Sequence, residues 1–210
     1  MLDILQIGHL VFGRVVKAHP DKSAYLIMLT TGHLAILPKE EEDRPYKVGD
    51  NLAAAVSRIG DSHPILSQRS VHYIRKVADT LLIPLIRAQR VKIRGVASAV
   101  GAPFVKIAIE ELTDDDPMGD CLKLLLDFKS YLTPTVVLVR FDSDLEAYIT
   151  NALAPAPRNK IRRIVILHST RSAQVLVETS SVRAFLGYKG LNVAVANKLV
   201  KRHIEIVGVT

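Results

Sequence analysis

Through the first third of the chain, apolar positions come in short runs broken by turn residues, the pattern of half-buried strands. Residues 10–16 and 24–30 are apolar and β-rich, separated by the polar turn His19-Pro20-Asp21-Lys22, and Thr31-Gly32-His33 leads into a short strand at 34–37. Pro38 and the acidic run Glu40-Glu41-Glu42-Asp43 read as a loop. Val48-Gly49-Asp50 introduces a strand through Val56, and Ile65-Leu66-Ser67 closes the set. Five short strands within residues 1–69 fit a small closed barrel of the OB type, in which closure removes the exposed edges of a flat sheet.

The pattern then changes. Residues 70–82 read as a helix that should stop before Pro84. Strands follow at 91–98 and 104–110, joined through Gly101-Ala102-Pro103. Thr113-Asp114-Asp115-Asp116-Pro117 leads into another helical stretch, and 135–141 is a further strand. The same order then recurs: a helix at 143–153, the linker Ala154-Pro155-Ala156-Pro157, strands at 161–167 and 173–178, two helices, and a strand at 203–209. An α-β-β-α-α-β order that occurs twice marks a degenerate tandem repeat. The expected fold class is multidomain, β and α/β: a barrel over 1–69, then units over 70–142 and 143–210.

Composition narrows the function classes. Hydrophobic residues make up 49% of the 210 and charged residues 23%, enough for packed cores and against wholesale disorder. The single cysteine, Cys121, excludes an internal disulfide framework, a structural zinc cluster and a CxxC redox pair, and fits a reducing, intracellular setting. Asp3, Gln6, Gly8 and His9 make the first ten residues unlike a secretory signal or an anchor, and no run is long enough to span a membrane. The formal charge of +7 is unevenly distributed. Residues 1–70 hold eight basic and eight acidic side chains, 71–150 hold ten and eleven, and 151–210 hold ten basic against two acidic. The whole excess sits in the last module, as a polyanion-binding surface requires; a basic domain without such a partner is the other reading.

The sharpest local signal lies in that module. Ser180 or Ser181 can cap a short helix that Gly187 ends, and Gly190 allows a tight turn into a second helix with the apolar stripe Leu191, Val195 and Leu199. Two glycines around Tyr188-Lys189 form a GxxG loop, which lets a sugar-phosphate backbone approach the chain. The N–H groups at the start of the second helix offer donors, and Lys189 adds charge. KH modules clamp about four nucleotides of single strand in this way. A bare GxxG is also an ordinary helix–turn–helix connection; the surrounding strands and basic charge favour binding. The middle unit has no such loop after Pro117-Met118-Gly119-Asp120-Cys121 and reads as a spacer.

At this point the residues resemble a family. A barrel of the S1 type followed by two type II KH units is similar to the RNA-binding portion of the NusA family of bacterial transcription elongation, termination and antitermination factors. The resemblance rests on Tyr46-Lys47-Val48-Gly49-Asp50 and Leu66-Ser67-Gln68-Arg69 in the barrel, and on Lys106-Ile107-Ala108-Ile109 and Asp116-Pro117-Met118-Gly119 in the first KH unit. Asn151-Ala152-Leu153-Ala154-Pro155-Ala156 matches the junction, and Leu186-Gly187-Tyr188-Lys189-Gly190-Leu191-Asn192-Val193 the second loop. The family's first GxxG is missing. Leu191 and Ala194 stand where the family usually has Gln and Arg, and the barrel begins where the family has a polymerase-gripping domain before it.

The resemblance implies a cytoplasmic, non-enzymatic protein without cofactor or metal, binding single-stranded RNA on nascent transcripts. The expected contacts are Gly187, Tyr188, Lys189, Gly190 and Asn192, supplemented by Arg183, Lys198, Lys201 and Arg202. Phe12 and Tyr25 are candidate stacking platforms on the barrel, with core packing the alternative for each. Glu40–Asp43 and Asp114–Asp116 lack the spacing of a calcium loop and read as solvated loops. Cys121 has no partner marking it as a nucleophile and should pack as a small apolar residue. The alternative function is a protein-interaction scaffold that binds RNA polymerase or another partner, with vestigial RNA affinity.

Overall fold

The computed structural model describes residues 5–19 and 23–210. The expected turn at Pro20-Asp21-Lys22 lies outside them. Residues 1–80 with 130–133 form one compact unit, and residues 81–129 with 134–210 form a second.

In the first unit, β1 (Leu10–Ala18), β2 (Ala24–Leu29), β3 (Leu34–Pro38), β4 (Asn51–Ile59) and β5 (Pro64–Ser67) close into a barrel in the order β1-β2-β3-β5-β4. Pairing is antiparallel except between β3 and β5. Alternation sets the faces: Val11 and Val15, Tyr25, Ile27 and Leu29, and Ala35 and Leu37 fill the interior with Leu52, Val56 and Leu66. Phe12 and Arg14, one residue out of step, face outward. β4 runs on past Val56 to Ile59, and Val48-Gly49-Asp50 is the turn that introduces it. There the Asp50 carboxylate accepts the Lys47 N–H at 2.8 Å, and Gly49 donates its N–H to the Val15 carbonyl. Helix α1 (Val71–Leu81) starts behind Ser70, whose hydroxyl accepts the Tyr73 N–H at 3.2 Å. It stops before Pro84, but Pro84 then opens a short helix α2 (Ile83–Arg87), where a missing N–H leaves no intrahelical bond unmade.

The second unit holds two copies of a β-β-α-α-β topology, the second copy preceded by a helix of its own. The first copy comprises β6 (Val91–Ala97), β7 (Phe104–Glu111), α3 (Pro117–Lys123), α4 (Leu125–Tyr131, whose last two residues belong to the first unit) and β8 (Thr135–Arg140). The second comprises α5 (Leu145–Ala152), β9 (Ile161–Leu167), β10 (Ser172–Glu178), α6 (Val182–Leu186), α7 (Leu191–Val200) and β11 (His203–Val209). In each, an antiparallel hairpin is joined by a parallel third strand beside its second strand, giving sheets β6-β7-β8 and β9-β10-β11. A shared hydrophobic cluster joins them. Ala97, Ala108 and Val139 of the first sheet pack with Ile149, Phe185, Val195, Leu199 and Ile204 of the second copy, and α7 lies against β6 and β7 as well as α5, α6 and β11. Small side chains on the first sheet leave room for that helix; Gly95 sits opposite Leu199. Among the described residues no helix is long and apolar enough to cross a membrane.

Candidate nucleic-acid interface

The loop between α6 and α7 is built from backbone conformations that two glycines make accessible. Gly187 has φ 71° and ψ 178°, a region closed to side-chain-bearing residues, and Gly190 has φ 74° and ψ 10°, left-handed, as the residue before α7. Lys189 is also left-handed, with φ 50°. The glycines differ in surroundings. A Cβ on Gly187 would lie 2.7 Å from Cβ of Asn192, whereas a Cβ on Gly190 would meet nothing within 4 Å. Gly187 is therefore bare to let α7 pack beneath it, and Gly190 is the glycine with open space before it.

The tip stands clear of the protein. Tyr188 is 77% exposed, and Lys189 is exposed with its Nζ 5.3 Å from the Tyr188 ring centroid. Two N–H groups expected as ligand donors are already engaged: Gly190 donates to the Gly187 carbonyl and Leu191 to that of Tyr188. The loop presents its remaining backbone donors, the Lys189 ammonium and the positive end of a ten-residue helix. Arg183 is exposed on α6 beside the loop. Lys198 and Lys201 lie toward the other end of α7, roughly 12 and 16 Å along its axis from Gly190, with Arg202 just past the helix end. Lys198 donates to the Ser98 carbonyl at 2.9 Å, Lys201 is exposed, and Arg202 is half-buried with Nη1 unpaired. Glu178 is held by Lys160 at 2.8 Å and Arg162 at 2.6 Å, which keep its carboxyl below its ordinary range. Among the described residues, Arg183, Lys189, Lys201 and Arg202 make no ion pair, so this face keeps its positive charge.

Asn192 is not on that face. It is 5% exposed and its amide is fully engaged beneath the loop. Its Nδ2 donates to the Leu153 and Phe185 carbonyls, both at 2.9 Å, and its Oδ1 accepts from Lys106 Nζ at 2.6 Å. The expectation that Asn192 meets RNA is corrected: Asn192 continues the buried stripe of α7 formed by Val195, Ala196 and Leu199. The first copy carries no loop at the equivalent place. Leu124 alone separates α3 from α4, with its N–H donated to the Cys121 carbonyl.

On the barrel the two candidate platforms separate. Phe12 is 55% exposed; Tyr25 is 4% exposed, inside the core, where its hydroxyl accepts the Tyr46 N–H at 3.2 Å. Tyr25 as a stacking platform is therefore corrected to a core residue. Phe12 lines a cavity of about 700 Å³ together with Arg14, Met28, Arg44, Tyr46 and Tyr131. Arg44 lies 5.6 Å from the Tyr46 ring centroid, and Arg14 Nε donates to the Gly49 carbonyl at 2.8 Å. Flat rings beside guanidinium groups are the chemistry that stacks unpaired bases. Arg14 is a further candidate beside Phe12, and its sequence signal is its place two residues along on the outward side of β1.

The acidic clusters are used within the protein. Glu41 accepts from the Ser67 hydroxyl, and Asp43 accepts the Thr133 N–H at 2.8 Å. Arg90 pairs with Asp115 at 2.6 Å and Asp120 at 2.7 Å, and Lys123 joins Asp120 at 2.7 Å. A hydrogen bond from Thr113 and then Arg90 lower the Asp115 carboxyl; Lys123 and then Arg90 lower that of Asp120. Cys121 is fully buried, and burial pushes its thiol up to about 11.

Residues 145–210 match the NusA-like second KH domain family. The transcription termination/antitermination protein NusA of Rickettsia conorii (strain ATCC VR-613 / Malish 7) is 28% identical over 133 residues, covering 60% of this chain and 26% of its own length. NusA of Rickettsia prowazekii (strain Madrid E) is 27% identical over 132 residues, with the same two coverages. The chain thus spans about a quarter of the length of these relatives. Among solved structures, that of APE1850 is similar at a TM-score of 0.44 and 17% identity, over 62% of this chain and 96% of the other, too distant a likeness to argue from.

Proposed function

From a chain that carries a NusA-like second KH domain behind a closed five-stranded barrel, we propose a protein that binds single-stranded RNA and acts on nascent transcripts as a NusA-like factor. In this reading residues 1–69 are an S1-like barrel, 70–142 a degenerate KH module and 143–210 the KH module that clamps the strand. The observation that carries the proposal is the Tyr188-Lys189 tip, exposed between two positive-φ glycines at the head of α7. Gly190 lets a phosphate approach, and Lys189 and the helix end supply the attraction. Arg183 extends the contact, with Lys201 and Arg202 further along α7. Phe12 with Arg14 offers a second, stacking contact on the barrel. The competing role is a protein-interaction scaffold that binds RNA polymerase or another partner, with vestigial RNA affinity.

The test is a titration of labelled single-stranded RNA at two salt concentrations against wild type and Lys189→Glu/Gly190→Asp. Both substitutions point into open space or solvent and leave the packing under Gly187 intact. Wild type should show a steep salt dependence, and the double variant should bind roughly tenfold or more weakly with a shallower slope. Equal affinity and slope in the two proteins would remove the loop as the binding element and favour the scaffold.

A further inference from the structure

Lys106 lies in the copy that has no glycine loop, on the central strand of the first sheet. It is fully buried, one of five consecutive buried residues of β7, Val105 to Ile109, so neither face of the strand offers its ammonium water. A buried lysine is retained only where hydrogen-bond acceptors meet it. Here Nζ donates to the Ala152 carbonyl at 2.5 Å and to Asn192 Oδ1 at 2.6 Å. Ala152 is the last residue of α5, whose terminal carbonyls have no partner within the helix and attract a cation.

Asn192 then hands the connection on. With Oδ1 held by Lys106, its amide is fixed in one orientation, and Nδ2 can bridge the Leu153 carbonyl at the end of α5 and the Phe185 carbonyl near the end of α6. Gly187 rests on the Cβ of that same Asn192. The ends of α5 and α6 and the start of α7 therefore converge on one amide, and a lysine from the other copy fixes which way it points. We infer that Lys106 is a positioning residue for the Gly187–Gly190 loop, acting through Asn192, so that the copy without a loop sets the geometry of the loop in its twin. The inference rests on the reading of that loop as the RNA clamp.

Lys106 touches no exposed surface, which separates positioning from direct contact. In the full chain, Lys106→Met keeps the side-chain length and removes both hydrogen bonds. Loosening the seat lowers the fraction of molecules with a competent loop, and apparent affinity falls by that fraction. The expected result is single-stranded RNA binding roughly fivefold to tenfold weaker with the salt slope of wild type, together with faster amide hydrogen exchange at Tyr188–Gly190. Lys106→Gln, which restores one amide donor at slightly shorter reach, should recover part of both and serves as the second variant if Lys106→Met does not fold. Wild-type affinity and wild-type loop exchange in Lys106→Met, with binding still lost in Lys189→Glu/Gly190→Asp, would overturn the inference and leave the function standing. If wild type binds no RNA, the functional reading falls by itself. Loop exchange then decides the role of Lys106: faster exchange upholds positioning, and unchanged exchange overturns it.

Discussion

Burying a lysine without a carboxylate leaves a mark on stability that can be read with a pH meter. Desolvation pushes Lys106 down from its ordinary 10.5 to about 8. Below pH 8 the side chain is charged in folded and unfolded chains alike, and folding bears the full cost of enclosing the charge. Between about 8 and 10.5 the unfolded chain holds a proton that the folded chain has released, so stability rises with pH across that window. Lowering of this size corresponds to about 3 kcal/mol in total, of which about 2 kcal/mol is recovered between pH 7 and pH 9.5. Staying below pH 10 avoids Tyr73 and Tyr148, whose hydroxyls burial pushes up to about 12 and whose contribution falls as pH rises past their ordinary value. The assay is urea unfolding followed by circular dichroism at pH 7.0, 8.0, 8.8 and 9.5 for wild type and Lys106→Met. All other titrating groups are common to the two, so the difference isolates this one. Wild type should gain about 2 kcal/mol on Lys106→Met across the series. Parallel pH profiles would refute the claim that the ammonium is enclosed without a countercharge.

Two further outcomes follow from the same geometry. Gly190→Ala should cost about 1 kcal/mol, the ordinary penalty for a left-handed alanine, whereas Gly187→Ala should cost about 2 kcal/mol or more because its methyl also strikes Asn192; urea midpoints decide, and equal costs would contradict the packing described. Phe12→Ala should weaken single-stranded RNA binding about tenfold at an unchanged urea midpoint, while Tyr25→Phe should lose about 1 kcal/mol of stability, by leaving the Tyr46 N–H without its acceptor, at unchanged RNA affinity. The reverse pattern would exchange the roles given to the two rings.

Much of the architecture was legible because local chemistry and global packing agree. Turn residues mark every barrel strand, and Thr31-Gly32-His33 sits between β2 and β3 as read. The faces of the strands were harder. On β1, Arg14 two residues beyond Phe12 marks the outward side. On β2 both alternating sets, Tyr25-Ile27-Leu29 and Leu26-Met28, are apolar, and the period alone does not say which one enters the barrel. In α7 the apolar period points to a stripe through Leu191, though Asn192 is the residue in register with Val195, Ala196 and Leu199; a polar side chain in a buried stripe is visible only once its three partners are known. Lys106 hid for the same reason. A lone lysine inside Phe-Val-Lys-Ile-Ala-Ile is a signal that something meets it, but the Asn192 that does so lies 86 residues away.

The two glycines of the loop answer to different masters. One is constrained from within, by the asparagine it leans upon; the other is constrained by whatever arrives from outside. Were a descendant of this chain to give up its ligand, selection would release the second glycine and go on defending the first. Survival of the first alone would then testify to an intact scaffold and say nothing about whether the molecule still holds a strand.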